Sequence, residues 1–76
     1  MGKDIVYLDL IDEECAVISK VKYPLTYEGC FINMDKPLKV LRSGYYSNGD
    51  MFIIKGIPYQ FQVAWMDDDY YYCIPK

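Results

Sequence analysis

The chain contains no histidine, so it lacks the one side chain whose unperturbed pKa lies close to neutrality. Acid–base catalysis at pH 7 is left without its ordinary proton shuttle, and the three cysteines have no imidazole to activate a thiol. Gly-x-Ser-x-Gly and phosphate-loop patterns are missing as well. Carboxylates cluster only in turn-like stretches, with no pocket in view to shift their pKa. The expectation is a non-enzymatic protein with no catalytic residue and no cofactor.

Other absences narrow the setting. No apolar run approaches the roughly 20 residues of a membrane-spanning helix. Met1-Gly2-Lys3-Asp4 lacks the apolar segment and cleavage site of a secretory leader, and Val6 stands where the myristoylation pattern needs Ser or Thr. A cytosolic protein with no membrane partner is expected. Cys15, Cys30 and Cys73 show no CxxC spacing, and a zinc site would need a carboxylate beside three thiolates. No metal is expected, and the cysteines read as free, buried thiols of a reducing compartment. A sustained i, i+3, i+4, i+7 apolar pattern is also missing, so no helix longer than a turn or two is expected.

What is present is the signature of short strands. The 76 residues, 53% hydrophobic with a mean hydropathy of -0.07, make one small domain. Between Gly49 and Ile74 the pattern is clearest. Met51 to Ile54 is continuously apolar, like a strand buried on both faces. Lys55-Gly56-Ile57-Pro58 turns the chain. Tyr59, Phe61, Val63 and Trp65 then alternate with Gln60 and Gln62, the period of a strand with one buried face. After Asp67-Asp68-Asp69, Tyr70 to Ile74 completes a hairpin.

Upstream, Asp4 to Ile11 is predicted as a strand with Val6, Leu8 and Leu10 on one face. Cys15 to Tyr23 is a second, with Val17 and Val21 inward and Lys20 and Lys22 outward, ended by Pro24. Cys30 to Met34 and Leu38 to Leu41 are two further short strands, separated by an Asp35-Lys36-Pro37 turn. Ser43 to Gly49 is the longest loop, rich in turn formers. The expected fold is all-β: a small antiparallel barrel or strongly bent sheet of six to seven short strands, in one domain over 1–76.

The run Ser47 to Ile54, then Tyr59 to Trp65, then Tyr70-Tyr71-Tyr72, resembles the closing half of SH3-like small β-barrels, in which a Gly-Asp turn opens a strand and an aromatic strand follows a short hairpin. Such barrels are frequent among small proteins of phages and mobile elements of Gram-positive bacteria. The resemblance implies a binding module, sometimes a viral counter-defence protein acting in the host cytosol. It covers about a third of the chain and fixes no functional residue.

Charge and aromatics supply the candidate site. The net charge of -3 is uneven: 1–14 sums to -4, 15–42 to +3 and 43–76 to -2. A pI near 4.6 disfavours a general nucleic-acid partner, which needs a broad basic surface. The nine tyrosines offer flat apolar faces with a hydroxyl, suited to stacking and interfaces. Tyr7, Phe52, Tyr59, Phe61 and Trp65 read as sheet-filling residues. Tyr45 and Tyr46, in a polar loop, have no strand face to fill and read either as recognition residues or as packing residues. Of the Tyr70-Tyr71-Tyr72 triplet, Tyr71 is expected outside the core, because neighbouring side chains on a strand point oppositely.

The expected function is a small inhibitor or sequestering protein that binds a nucleotide-like ligand. Lys39 and Arg42 meet its phosphate, Tyr45, Tyr46 and Tyr71 stack on it, and Ser47 and Asn48 read its polar edge. The alternatives are a protein–protein module acting on a host protein, and an acidic nucleic-acid mimic built on Asp12-Glu13-Glu14 and Asp67-Asp68-Asp69. Thirteen aromatic rings exceed what so small an interior holds, so a homo-oligomer is expected.

Overall fold

Alternation along each segment decides which side chains face inward. The computed structural model describes residues 5–21 and 35–76. These form six strands: β1 Val6–Leu10, β2 Cys15–Ile18, β3 Leu38–Leu41, β4 Met51–Ile54, β5 Gln60–Met66 and β6 Tyr70–Pro75. They close into a barrel in the order β1-β2-β3-β6-β5-β4. The all-β reading therefore holds, and the architecture is compatible with an SH3-like barrel. The expected strand Cys30 to Met34, and the predicted end of the second strand at Tyr23, lie outside the described residues. Among the described residues no helix is long and apolar enough to cross a membrane.

The ladders β1–β2, β3–β6, β4–β5 and β5–β6 are antiparallel, whereas β1–β4 and β2–β3 are parallel. The two parallel pairs are where the simple antiparallel expectation gives way. Each joins strands separated by a long stretch of chain, as a parallel crossover requires. The β1–β4 pair closes the barrel, setting Val6 against Phe52 and Leu8 against Ile54. Closure removes the free edges that a Val-, Ile- and Tyr-rich sheet would offer to another copy.

Inside sit Leu8, Ala16, Leu38, Val40, Phe52, Ile54, Phe61, Val63, Tyr71 and Cys73, each at most 2% exposed. Burying a Leu or Phe side chain is worth about 1.5–3 kcal/mol. The rings of Tyr46, Phe52 and Tyr71 meet edge to face, with centroids 5.4–6.1 Å apart.

Three expectations about facing are corrected. On β2 the inward residues are Ala16 and Ile18, not Val17 and Val21. Leu10 lies opposite Ala16 and Leu8 opposite Ile18, so these share the inner face, while Val17 pairs with Asp9 outside. Val21 lies past the strand end and is exposed; its N–H donates to the Ser19 hydroxyl oxygen (3.2 Å). Trp65, assigned to the face of Phe61 and Val63, is 47% exposed. A bulge causes this: Val63 pairs with Cys73 but Trp65 pairs with Tyr72, so Ala64 is an extra residue and the phase inverts. Tyr71, expected outside, is fully buried; Tyr70 and Tyr72 take the outer face.

The buried Tyr71 also organises the longest loop. Its hydroxyl oxygen accepts the backbone N–H groups of Gly44 (3.1 Å), Tyr46 (3.2 Å) and Ser43 (3.4 Å), and it shares a hydrogen bond with the Ser43 hydroxyl (3.3 Å). Gly44, at φ 84°, makes the left-handed step that turns its N–H inward. Farther on, Gly49 (φ 94°) closes a turn in which the buried Asp50 carboxylate accepts the Ser47 N–H at 2.9 Å. The Tyr71→Phe substitution keeps the ring and strands three N–H groups without their acceptor. It is expected to cost about 1–3 kcal/mol in urea unfolding and to speed hydrogen exchange at Gly44 and Tyr46. Wild-type exchange in the variant would show that the hydroxyl does not hold the loop.

Candidate functional site

The inverted phase of β5 assembles an aromatic and cationic outer face across β3, β6 and β5. Lys39 on β3 lies opposite Tyr72 on β6, and Tyr72 lies opposite Trp65 on β5. The Trp65 and Tyr72 rings stack nearly parallel, at 5.3 Å between centroids and 10° between planes. Tyr70 meets Tyr72 at 6.3 Å, and the Lys39 ammonium stands 5.6 Å from the Tyr70 ring centroid, a cation–π contact. Below the pair is a recess of about 310 Å3 lined by Glu14, Lys36, Pro37, Lys39, Trp65 and Tyr72. Two of these residues, Lys36 and Glu14, form an ion pair at 3.1 Å. Leu41 (44%) and Ile74 (40%) add exposed apolar surface on the same strands.

At the other end of this face the β5–β6 turn is tied to Tyr72. The Tyr72 hydroxyl donates to Asp67 Oδ2 at 2.6 Å, while the N–H groups of Asp69 (2.8 Å) and Tyr70 (2.7 Å) donate to Asp67 Oδ1. The Arg42 guanidinium donates to the Asp67 carbonyl oxygen at 2.6 Å. The Tyr72 hydroxyl chiefly, then the two N–H groups, hold the Asp67 carboxyl below its ordinary value of 3.8. The same hydrogen bond raises the Tyr72 phenol above its ordinary 10.

A second concavity, a groove of about 620 Å3, lies between the ends of β1 and β2 and the 42–50 loop; Val6, Tyr7, Ile18, Lys20, Tyr45 and Asp50 contribute to its walls. It is larger, but its lining holds one lysine and one carboxylate, whereas the recess holds Lys36 and Lys39 against the single carboxylate of Glu14 and so offers an anion more.

The residues expected to form one site are thus divided. Lys39 belongs to the aromatic face. Arg42 braces the Asp67 turn beside it and is already engaged there. Tyr45 (86% exposed) and Tyr46 border the groove, but the Tyr46 ring packs on Phe52 and Tyr71. Of the two readings open for Tyr46, packing is the one its ring contacts bear out, and truncating it also unpacks the core. Ser47 and Asn48 form the turn before β4, and Tyr71 is closed inside. Trp65, Tyr72, Tyr70 and Lys36 were not singled out by their sequence pattern. The available signal was the Tyr-x-Tyr spacing of Tyr70 and Tyr72, which puts two rings together on whichever face they take.

The two described cysteines are free thiols. Burial pushes the Cys73 thiol up to about 12, and burial also raises Cys15. Comparison with protein-family models, with curated proteins and with solved structures found no match.

Two measurements follow from this chemistry. Iodoacetamide at pH 8 should leave Cys73 unmodified in the native protein and alkylate it after denaturation, read by peptide mass spectrometry. Rapid native labelling of Cys73 would contradict its place in the core. The Asp67 carboxyl, lowered on folding, contributes stability above its unfolded value that is lost as pH falls through its folded one; the raised Tyr72 phenol contributes stability that is lost as pH rises through its folded value. The stability lost in Tyr72→Phe should therefore be constant between the ordinary carboxylate and phenol values of 3.8 and 10, and shrink as pH falls below 3.8. A loss that persists unchanged in acid would show that the ionised bond contributes nothing.

Proposed function

We propose that this chain is a non-enzymatic binding module that holds a nucleotide-like ligand on the outer face of β3, β6 and β5. The ligand's ring stacks on the open side of the Trp65–Tyr72 pair, and Lys39 and Lys36 meet its phosphate. The observation that carries this reading is the row Lys39–Tyr72–Trp65, in which a half-exposed tryptophan is held flat beside a tyrosine and a lysine. A ring fixed in this way has lost little freedom on binding, and base–aromatic stacking is worth about 1–3 kcal/mol. The Tyr-rich binding surface is thereby moved from the Leu41 to Asp50 loop, where the sequence put it, to the sheet.

The SH3-like barrel pattern is the ground for placing the module among small inhibitor or sequestering proteins of phage type, acting in a host cytosol. A second reading, a protein–protein module or homo-oligomer contact, is favoured by Leu41 and Ile74, which extend the aromatic surface with apolar area.

Trp65 is the single tryptophan, so its fluorescence reports directly on this face. Nucleoside monophosphates and triphosphates should quench it saturably. Ligand at about a hundred times its dissociation constant should add about 2.7 kcal/mol of stability. Lys39→Ala should weaken binding by about 1.5–3 kcal/mol, the loss of a charge-assisted contact, with the fold intact. Neither quenching nor a shift in Tm with any nucleotide would retire this reading and leave the protein-binding one.

A further inference from the structure

We infer that a second copy of this chain covers the outer face of β3, β6 and β5, two such faces meeting across a two-fold axis. This goes beyond the nucleotide reading and does not need it. On that face Leu41 lies opposite Tyr70, Lys39 opposite Tyr72, Tyr72 opposite Trp65, and Gln62 opposite Ile74. Five of these seven side chains are apolar or aromatic, and Lys39 is the one charge among them. Leu41, Trp65 and Ile74 are each at least 40% exposed. Aromatic and apolar groups at the centre, with charge at the margin, are the composition of a protein interface.

The other exposed apolar groups do not offer a second copy the same surface. Ile5, Val21 and Tyr45 border a concave groove, which a flat sheet face cannot enter. Closure of the barrel leaves no strand edge to extend. The charges then favour a copy of this chain as the occupant. Among the described residues Lys39 makes no salt bridge, its ammonium lying over the Tyr70 ring instead. Asp68 and Asp69 make none either, and both are exposed. Tyr70 directly follows Asp69, so the lysine and the carboxylates lie beside one another at one margin of the face. In a two-fold contact a residue i of one copy meets j of the other, and j meets i. With the axis running between Lys39 and the acidic turn, each copy's lysine comes to the other's carboxylates. A face charged with one sign alone would repel its own copy.

Sedimentation equilibrium across the micromolar range should show monomer and dimer in exchange. Leu41→Asp and Ile74→Asp, on this face but outside the stacked pair, should each weaken the dimer at least about tenfold. Val21→Asp, beside the groove, should leave it unchanged, with circular dichroism confirming that each variant is folded. Carbodiimide, which couples an amine directly to a carboxylate, should link Lys39 of an isotopically labelled copy to Asp68 or Asp69 of an unlabelled one. A monomer throughout that range overturns the inference and leaves the nucleotide reading intact. A dimer that Val21→Asp weakens as much as Leu41→Asp does also overturns it, as does one whose intermolecular links omit Lys39. Where AMP quenches Trp65 it should also dissociate the dimer, since the two compete for one face; a protein saturated with AMP that stays dimeric overturns the inference. Absence of quenching retires the nucleotide reading only, and the variants and cross-links then decide this one.

Discussion

Between Val63 and Trp65, strand β5 carries one residue more than its partner, because Val63 lies opposite Cys73 while Trp65 already lies opposite Tyr72. Without Ala64 as the extra residue, Trp65 would pair with the inward Tyr71 and compete with it for the barrel interior. With it, each ring has its own side of the sheet. Tyr71 fills the centre, Trp65 lies flat on Tyr72 outside, and Met66 turns back against the core. A bulge is a local disruption of a ladder, yet here it sets the composition of both the core and the outer aromatic face.

Placing a phenol rather than a phenylalanine at the centre adds a second consequence. The Tyr71 ring belongs to the hydrophobic interior, but its hydroxyl reaches the 42–46 loop and collects backbone donors that no strand partner satisfies. Burial pushes this phenol up, but the Ser43 hydroxyl and the N–H groups of Tyr46, Ser43 and Gly44 outweigh it and bring the group below its ordinary 10. The loop is thus clamped from inside the barrel, and Tyr46 follows by packing its ring on Phe52 and Tyr71. A loop held this way is poorly suited to folding around a ligand.

Most of the architecture was legible from the sequence because strands of alternating apolar residues announce themselves, and Gly, Pro and Asp clusters mark their ends. The elements over Leu38–Leu41 and Met51–Ile54 coincide with the predicted ones residue for residue. What failed was phase. Cys15–Ile18 is apolar throughout, so nothing in its composition says that Ala16 rather than Val17 faces in; only pairing with Leu10 decides. Tyr70-Tyr71-Tyr72 is equally silent, since three identical residues read the same in either phase. The bulge at Ala64 has no composition signal, and with it went the exposure of Trp65. Lys39 was recognised as a candidate from its charge, while its aromatic neighbours were hidden by the assumption of an uninterrupted alternation.

The parallel seam between β1 and β4 bears on how the chain reaches this state. It joins Val6, Tyr7 and Leu8 to Phe52, Ile53 and Ile54, segments from opposite halves of the chain. The β4–β5–β6 meander, by contrast, is made of neighbouring hairpins. Local hairpins form on the microsecond scale, whereas pairings that close long loops must first overcome their entropy and are correspondingly slow. The meander therefore carries the lowest loop-closure cost of the barrel and the β1–β4 seam the highest. During synthesis β1 emerges first but has no lateral partner on that side until β4 has followed it.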